Sequence, residues 1–208
     1  MSFYGFLKGL AGWFFRLIYP TKVIGPKKLE KKKMLFALNH LSNLDPVIVG
    51  ATLKPRFYFW AKKELFKKKL PAWFFKKMGV VPVDRSGADI SSVKAALTLL
   101  KNENIFMLFP EGTRNKGDEN EMLQIKNGLA MLAIKAQAPI RIGLFYKKPR
   151  LFKKNFLIIG EEFQLDQFYG QRLNNEVLAE ASIFIEKKFD QLHKQLSDIL
   201  IEKGVIKS

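Results

Sequence analysis

Apolar residues in this chain fall into short unbroken runs separated by longer stretches of helical period. Met34–Leu38, Phe57–Trp60, Val80–Val83, Ile105–Phe109, Ile140–Tyr146 and Phe156–Ile159 are too short for buried helices and carry no polar alternation. They read as strands, most of them buried on both faces. Between them, Asp45–Leu53, Lys63–Met78, Asp89–Lys101 and Gln124–Gln137 place apolar residues at helical spacing. Ser86 with Asp89 three residues on predicts a capping box for the third of these helices. From Asn174 to Ile201 the positions Val177, Ala181, Phe184, Ile185, Leu192, Leu196 and Ile199 trace one face of a long C-terminal helix. His193 on that helix reads as a surface residue with no role. Strand–helix alternation of this kind predicts an α/β fold: a single-domain αβα sandwich around a largely parallel central sheet.

The first 20 residues follow a different pattern. They are rich in Phe, Trp and Leu, interrupted by Lys8 and Arg16, and carry Gly5, Gly9 and Gly12, which weaken a helix in water. A spanning helix needs about 20 predominantly apolar residues with few charges, and no window qualifies comfortably. No secretory leader is visible either, because no basic start precedes a clean apolar run and cleavage site. The stretch fits a helix lying in a membrane interface, rings buried and cations snorkelling to the headgroups. An ordinary helix packed on the domain is the alternative. Residues 1–20 are therefore expected to be a membrane-attachment helix and residues 21–208 the α/β domain. Seven lysines between Lys62 and Lys77 surround Leu70, Trp73, Phe74 and Phe75. That arrangement suits an anionic bilayer as well as a solvated helix face.

Composition narrows the chemistry. The 208 residues include 36 Lys plus Arg against 19 Asp plus Glu, a formal charge of +17 that calls for an anionic partner. A nucleic-acid-binding protein would satisfy the charge, but no such motif is visible and the lysines cluster around aromatics, so no nucleic acid is expected. Cys is absent and only two His are present. That removes disulfides, thiolate metal sites and thiol nucleophiles, and disfavours a multi-histidine metal site.

Three clusters sit just past strands, on the edge of an α/β sheet where ligands usually bind. His40 ends the first strand, and Asp45-Pro46 starts a helix after a short turn, with Pro at the first helical position. On a continuous helix the two side chains would diverge by about 140°; across a strand–turn–helix corner they can meet. Asp45 could then fix the tautomer of His40 and leave its other ring nitrogen to accept a proton. A plain reading is also open, with Asp45 as the helix cap and His40 merely satisfied. Phe109-Pro110-Glu111-Gly112-Thr113-Arg114 follows another buried strand, with Gly112 able to turn the backbone and Glu111 and Arg114 able to pair or bind substrate. Gly79–Asp84 leads to Arg85, whose planar fork suits a phosphate.

In this order and spacing, His-x4-Asp, Gly79–Arg85 and Phe109–Arg114 closely resemble the motifs of the glycerolipid acyltransferase family, most narrowly its bacterial 1-acyl-glycerol-3-phosphate acyltransferases. The resemblance runs from about Val23 to Phe145 and includes Ala61–Phe66 and Lys126-Asn127-Gly128. It implies an enzyme that moves a fatty acyl group from acyl carrier protein or coenzyme A to lysophosphatidic acid, giving phosphatidic acid. On that resemblance His40 is the general base, Asp45 its orienting partner, and Arg85 and Lys62 the candidates for the acceptor phosphate. Glu111, Gly112, Thr113 and Arg114 would shape the glycerol-phosphate pocket. No metal or organic cofactor is expected, and the enzyme would work at the cytoplasmic face of the membrane. Glycerol 3-phosphate, another lysophospholipid or a lyso-aminolipid are alternative acceptors. One departure is visible: the family's fourth motif resembles V-P-I-V-P-V, whereas this chain has Ala138-Pro139-Ile140-Arg141-Ile142-Gly143, with Ile142 in place of the second proline. The departure bears on the shape of the acceptor or acyl pocket.

Overall fold

The computed structural model describes residues 3–67, 69–84, 89–118 and 122–207. Its centre is β2 (Met34–Leu38), buried at every position, as an unbroken apolar run requires. Around it the sheet runs in the order β1 (Thr21–Ile24), β7 (Asn155–Phe163), β6 (Ile140–Phe145), β2, β5 (Ile105–Leu108), β3 (Phe57–Lys62), β4 (Val80–Val83). All neighbouring pairs are parallel except β6 with β7. The six expected strands are present. The seventh, β1, was not predicted, because this edge strand buries only Val23 and so carries little apolar signal.

Alternate residues of β2 face two separate cores. Met34, Phe36 and Leu38 pack with Ile48 and Val49 of α2 (Asp45–Thr52) and with the end of α1 (Phe3–Ile18). Leu35 and Ala37 pack with α4 (Ile90–Lys101), α5 (Gly128–Ala136) and α6 (Asn175–Glu202) on the other face. Helices thus cover both faces, and the connections leaving β2 and β5 pass to opposite sides of the sheet. The gap between the ends of these two strands is the switch point at which α/β sheets form ligand crevices.

Several local expectations change. Lys63–Met78 is not one helix: a 3-10 turn over Lys63–Phe66 precedes α3 (Lys69–Lys77). Pro71 explains the break, since it is tolerated in a first turn but would remove a hydrogen bond and clash inside a longer helix. Asp89 is itself the cap of α4, accepting from the backbone N–H of Ser92, so the expected box does not form; Ser86 lies outside the described residues. The Asp84 N–H, the Ser91 hydroxyl and the Ser92 N–H together hold the Asp89 carboxyl down at about 2. His193 is half-buried, its ring stacked 6.3 Å from that of Tyr146, because it follows Leu192 on the buried face of α6.

The departure in the fourth motif falls inside β6. Ile142 is buried among the helices of one face, and a Cβ on Gly143 would come within 2.5 Å of the Phe36 ring on the other. Ile142 is therefore a core-packing residue, and Gly143 beside it leaves room for the Phe36 ring on the opposite face.

Candidate active site

β2 ends at Leu38, and the next two residues are fixed by their neighbours. Asn39 is buried and bonds both backbone polar groups of Phe145, donating through Nδ2 to the carbonyl and accepting the N–H on Oδ1, each at 2.9 Å. That bidentate clamp joins the ends of β2 and β6. The β2–β5 ladder, extended by three residues, brings His40 opposite Glu111. Pro110 has no N–H to continue the ladder, and the carboxylate of Glu111 takes over: its Oε1 accepts the His40 N–H at 2.8 Å. The His40 carbonyl accepts the Asn115 N–H at 2.8 Å.

The turn after His40 brings Asp45 back onto it. Oδ2 of Asp45 lies 3.0 Å from Nδ1 of His40 and accepts the N–H groups of Leu41 at 2.8 Å and Ser42 at 2.7 Å. Asp45 is completely buried, and it stands at the first position of α2 rather than at the cap, which is Leu44. The capping reading of Asp45 is thus replaced: its carboxylate closes the turn and engages the imidazole. With Nδ1 committed to Asp45, Nε2 is the nitrogen left for a substrate proton. The His40 ring stacks on Phe109, centroids 3.9 Å apart, and its side chain is 12% exposed. Packing and hydrogen bonding together leave it one orientation.

Phe109 also borders a cleft of about 320 Å³ at the carboxyl ends of β4 and β5. Its walls are mainly apolar, from Trp60, Val83, Leu129 and Met131, with Asp84, Asp89 and Lys126 as polar members. Gly112 adopts φ 69°, and a Cβ there would meet the Lys126 stem at 2.9 Å, so this turn requires glycine. Ile142 does not line the cleft. Thr113 is exposed and Arg114 half-buried on the same turn. Lys62 is exposed at the carboxyl end of β3, opposite Val83. Arg85, which follows β4 by two residues, lies outside the described residues. Among the described residues no three His, Asp or Glu side chains gather as metal ligands.

Glu111 departs most from its sequence reading. It is 2% exposed and aimed at the His40 backbone, neither paired with Arg114 nor open to a phosphate. Burial pushes its carboxyl above the ordinary range, while the His40 and Leu123 backbone N–H groups and the His40 charge pull it back. Glu111→Ala should cost about 1–3 kcal/mol by leaving the His40 N–H unpaired. Glu111→Gln keeps the acceptor without the disfavoured charge. Because the folded carboxyl sits above its unfolded value, its contribution to stability is present in acid and lost as pH rises through the folded value. The Gln NH₂ takes the buried Oε2 position, which has no partner among the described residues, at a cost that does not change with pH. The stability of the variant relative to wild type should therefore rise between about pH 4 and neutrality. Urea midpoints at the two pH values measure this, and a difference between the two proteins that does not change with pH would refute it.

Sequence reasoning missed three contributors. Asn39 carried a signal, an amide beside the candidate His at a strand end. Phe109 and Lys126 entered only as members of the motifs that carry the family resemblance, with no role attached to either.

A sequence model of the acyltransferase family matches residues 20–141, more than half of the chain. The 1-acyl-sn-glycerol-3-phosphate acyltransferase of Bacillus subtilis is 31% identical over 172 residues, 79% of this chain and 83% of that protein. Proteins of the same name from Streptococcus pneumoniae (28% identical, 80% of this chain and 62% of that protein) and Saccharomyces cerevisiae (33%, 86% and 60%) also align. The crystal structure of the 1-acyl-sn-glycerophosphate acyltransferase PlsC from Thermotoga maritima shares the fold, with a TM-score of 0.65 at 22% identity over 91% of this chain and 78% of that one. With the family model matching more than half of the chain, the locked His40 and Asp45 included, the chain belongs to the acyltransferase family.

Proposed function

We propose that this enzyme transfers a fatty acyl group from a thioester, on acyl carrier protein or coenzyme A, to the sn-2 hydroxyl of 1-acyl-glycerol 3-phosphate, making phosphatidic acid. The observation that carries this reading is the 3.0 Å contact between His40 Nδ1 and Asp45 Oδ2, with the ring pinned on Phe109. Nε2 takes the hydroxyl proton as the oxygen attacks the thioester carbonyl, and Asp45 balances the imidazolium that forms. Collapse of the tetrahedral intermediate breaks the C–S bond, and the imidazolium returns the proton to the departing thiolate. One ester forms, one thioester is lost, and His40 is regenerated. The thioester is already activated, so the step needs no cofactor, and with no Cys in the chain it needs no acyl-cysteine intermediate.

Lys62 closes β3 and Arg114 lies past β5 on the edge that carries His40, and Arg85 comes two residues after β4 in the sequence, which supports reading the three as a group. They are the candidates for the acceptor phosphate, with Gly112 and Thr113 shaping the turn beside it. Lys126 adds a cation at the cleft wall.

The acceptor is a lipid, so the site must work at a membrane. No helix among the described residues is long and apolar enough to cross one. The α1 helix instead packs through Phe15, Ile18 and the following Tyr19 while exposing Trp13, Phe14 and Leu17 on its other side. A helix whose apolar residues continue from a packed side onto an uncovered one, with exposed Arg16 among them, suits attachment to the interface, on the cytoplasmic leaflet where acyl donors are made.

The test is transfer of a labelled acyl group by the purified protein to a panel of acceptors: lysophosphatidic acid, glycerol 3-phosphate and lysophospholipids with larger headgroups. Phosphatidic acid should be the product. Transfer confined to another acceptor would replace the substrate, and no transfer to any of them would overturn the reading.

A further inference from the structure

The loop joining β6 to β7, residues 146–154, lies on the catalytic edge. β6 runs parallel to β2, so both strands end on the same side of the sheet, and the Asn39 clamp on Phe145 ties the base of this loop to the residue beside His40. Five cations, Lys147, Lys148, Arg150, Lys153 and Lys154, bracket two apolar residues, and all five are exposed. Leu151 is 53% exposed and Phe152 72%, more than any other large apolar residue described.

The loop is built rather than slack. Buried Asn155 accepts the Arg150 N–H on Oδ1 at 2.9 Å and donates through Nδ2 to the carbonyls of Arg150 and Lys153. The Phe152 N–H donates to the carbonyl of Ile18, the last residue of α1, at 2.7 Å. Phe152 is held at φ 53°, a left-handed conformation that a bulky aromatic rarely adopts. Such a conformation persists only where the surroundings fix it, and here they fix the ring in the open, beside the exposed end of α1.

We propose that this loop is a second membrane contact. Leu151 and Phe152 enter the apolar boundary of an anionic bilayer, the flanking cations bind lipid phosphates, and the carboxyl edge of the sheet is thereby turned to the membrane. The occupant follows from the chemistry: an acidic protein surface would answer the cations, whereas an anionic bilayer answers the cations and the uncovered rings together. Continuity with the apolar side of α1, through Phe152 and Ile18, makes one surface of the two. The contact would set His40 at headgroup depth, where a lysophospholipid presents its hydroxyl. That purpose rests on the lipid-acceptor reading; the loop geometry does not.

The chain has no Cys, so Phe152→Cys and Trp13→Cys each give a single nitroxide site. Collision of the label with oxygen and with a water-soluble nickel chelate is measured in vesicles of phosphatidylcholine, with and without phosphatidylglycerol. The label at 152 should lose nickel contact and gain oxygen contact in the anionic vesicles. The double variant Leu151→Ser/Phe152→Ser should bind them about ten- to hundredfold more weakly in sedimentation. Its turnover on a short-chain, water-soluble acceptor should match wild type. A label at 152 in water while the label at 13 is in lipid overturns the loop contact and leaves attachment to α1. Protection of 152 without vesicles, rising with protein concentration, overturns it in favour of a second copy. Both labels in water overturn it together with membrane attachment as a whole. Burial of 152 in protein that acylates nothing upholds the contact and overturns the acceptor reading alone.

Discussion

His40→Ala should lower kcat by about 10²–10⁴ while leaving the KM of both substrates close to wild type and the fold intact. The expectation follows from how the ring is held. Nδ1 is committed to Asp45, the ring plane is fixed against Phe109, and the backbone is anchored at both polar groups by Glu111 and Asn115. None of the backbone anchors passes through the imidazole, so its removal leaves the corner intact. The loss to stability comes from the stacking contact, about 0.5–1.5 kcal/mol, and the ring's hydrogen bond to Asp45, about 1.5–3 kcal/mol, while Oδ2 keeps its two backbone donors. His40→Gln is the companion variant: it fills much of the space, can still approach Asp45 with an amide N–H, and cannot serve as a base. If the ring acts by proton transfer, Gln should be no better than Ala. Single-turnover rates with saturating acyl thioester separate this from a binding defect. A Gln variant within a few-fold of wild type would remove general-base catalysis from the mechanism.

Much of the site was legible because the fold reads from runs of apolar residues and the site hangs on the ends of those runs. β2, β5, β3 and β4 were visible as short buried stretches, so His40, Glu111, Lys62 and Arg85 could each be assigned to a strand end before any geometry was known. Parallel pairing then puts those ends on one edge. Direction was harder. That Glu111 turns inward to the His40 N–H depends on Pro110 interrupting the ladder at that register, and register between strands far apart in sequence is not written locally. The same holds for Asp45, for which residue type and position left both a partner for His40 and a helix cap open. Only the turn geometry brings its carboxylate onto the two N–H groups and the imidazole at once. Edge strand β1 was missed because a strand with one buried residue has no hydrophobic pattern to read. The basic loop over residues 146–154 escaped for the opposite reason. Its composition was plain, but its place beside the catalytic edge comes from β6 lying next to β2, a pairing across about a hundred residues that no short-range pattern encodes.

Asp45 is the position where structure and chemistry should separate most cleanly. Its Oδ2 accepts three hydrogen bonds, two from the turn backbone and one from the His40 ring, while Oδ1 is buried without a partner among the described residues. Asp45→Ala removes all three and leaves the buried Leu41 N–H and the partly buried Ser42 N–H unpaired, at about 1–3 kcal/mol each. The turn should loosen, the melting temperature should fall, and activity should be lost with it. Asp45→Asn behaves differently. Two backbone N–H groups converge on the Oδ2 position, so the amide oxygen takes that place and the turn stays closed. The NH₂ group then occupies the partnerless Oδ1 position, which costs about 1–3 kcal/mol. The neutral oxygen still orients the ring but no longer balances the imidazolium that forms as the proton leaves the hydroxyl, so kcat should fall by about 10²–10⁴. The pair of variants therefore makes a two-way measurement, with thermal unfolding on one axis and turnover on the other. Alanine should fail on both and asparagine chiefly on turnover. Wild-type turnover in Asp45→Asn would reduce Asp45 to a clamp on the turn, and an unchanged melting temperature in Asp45→Ala would deny it even that role.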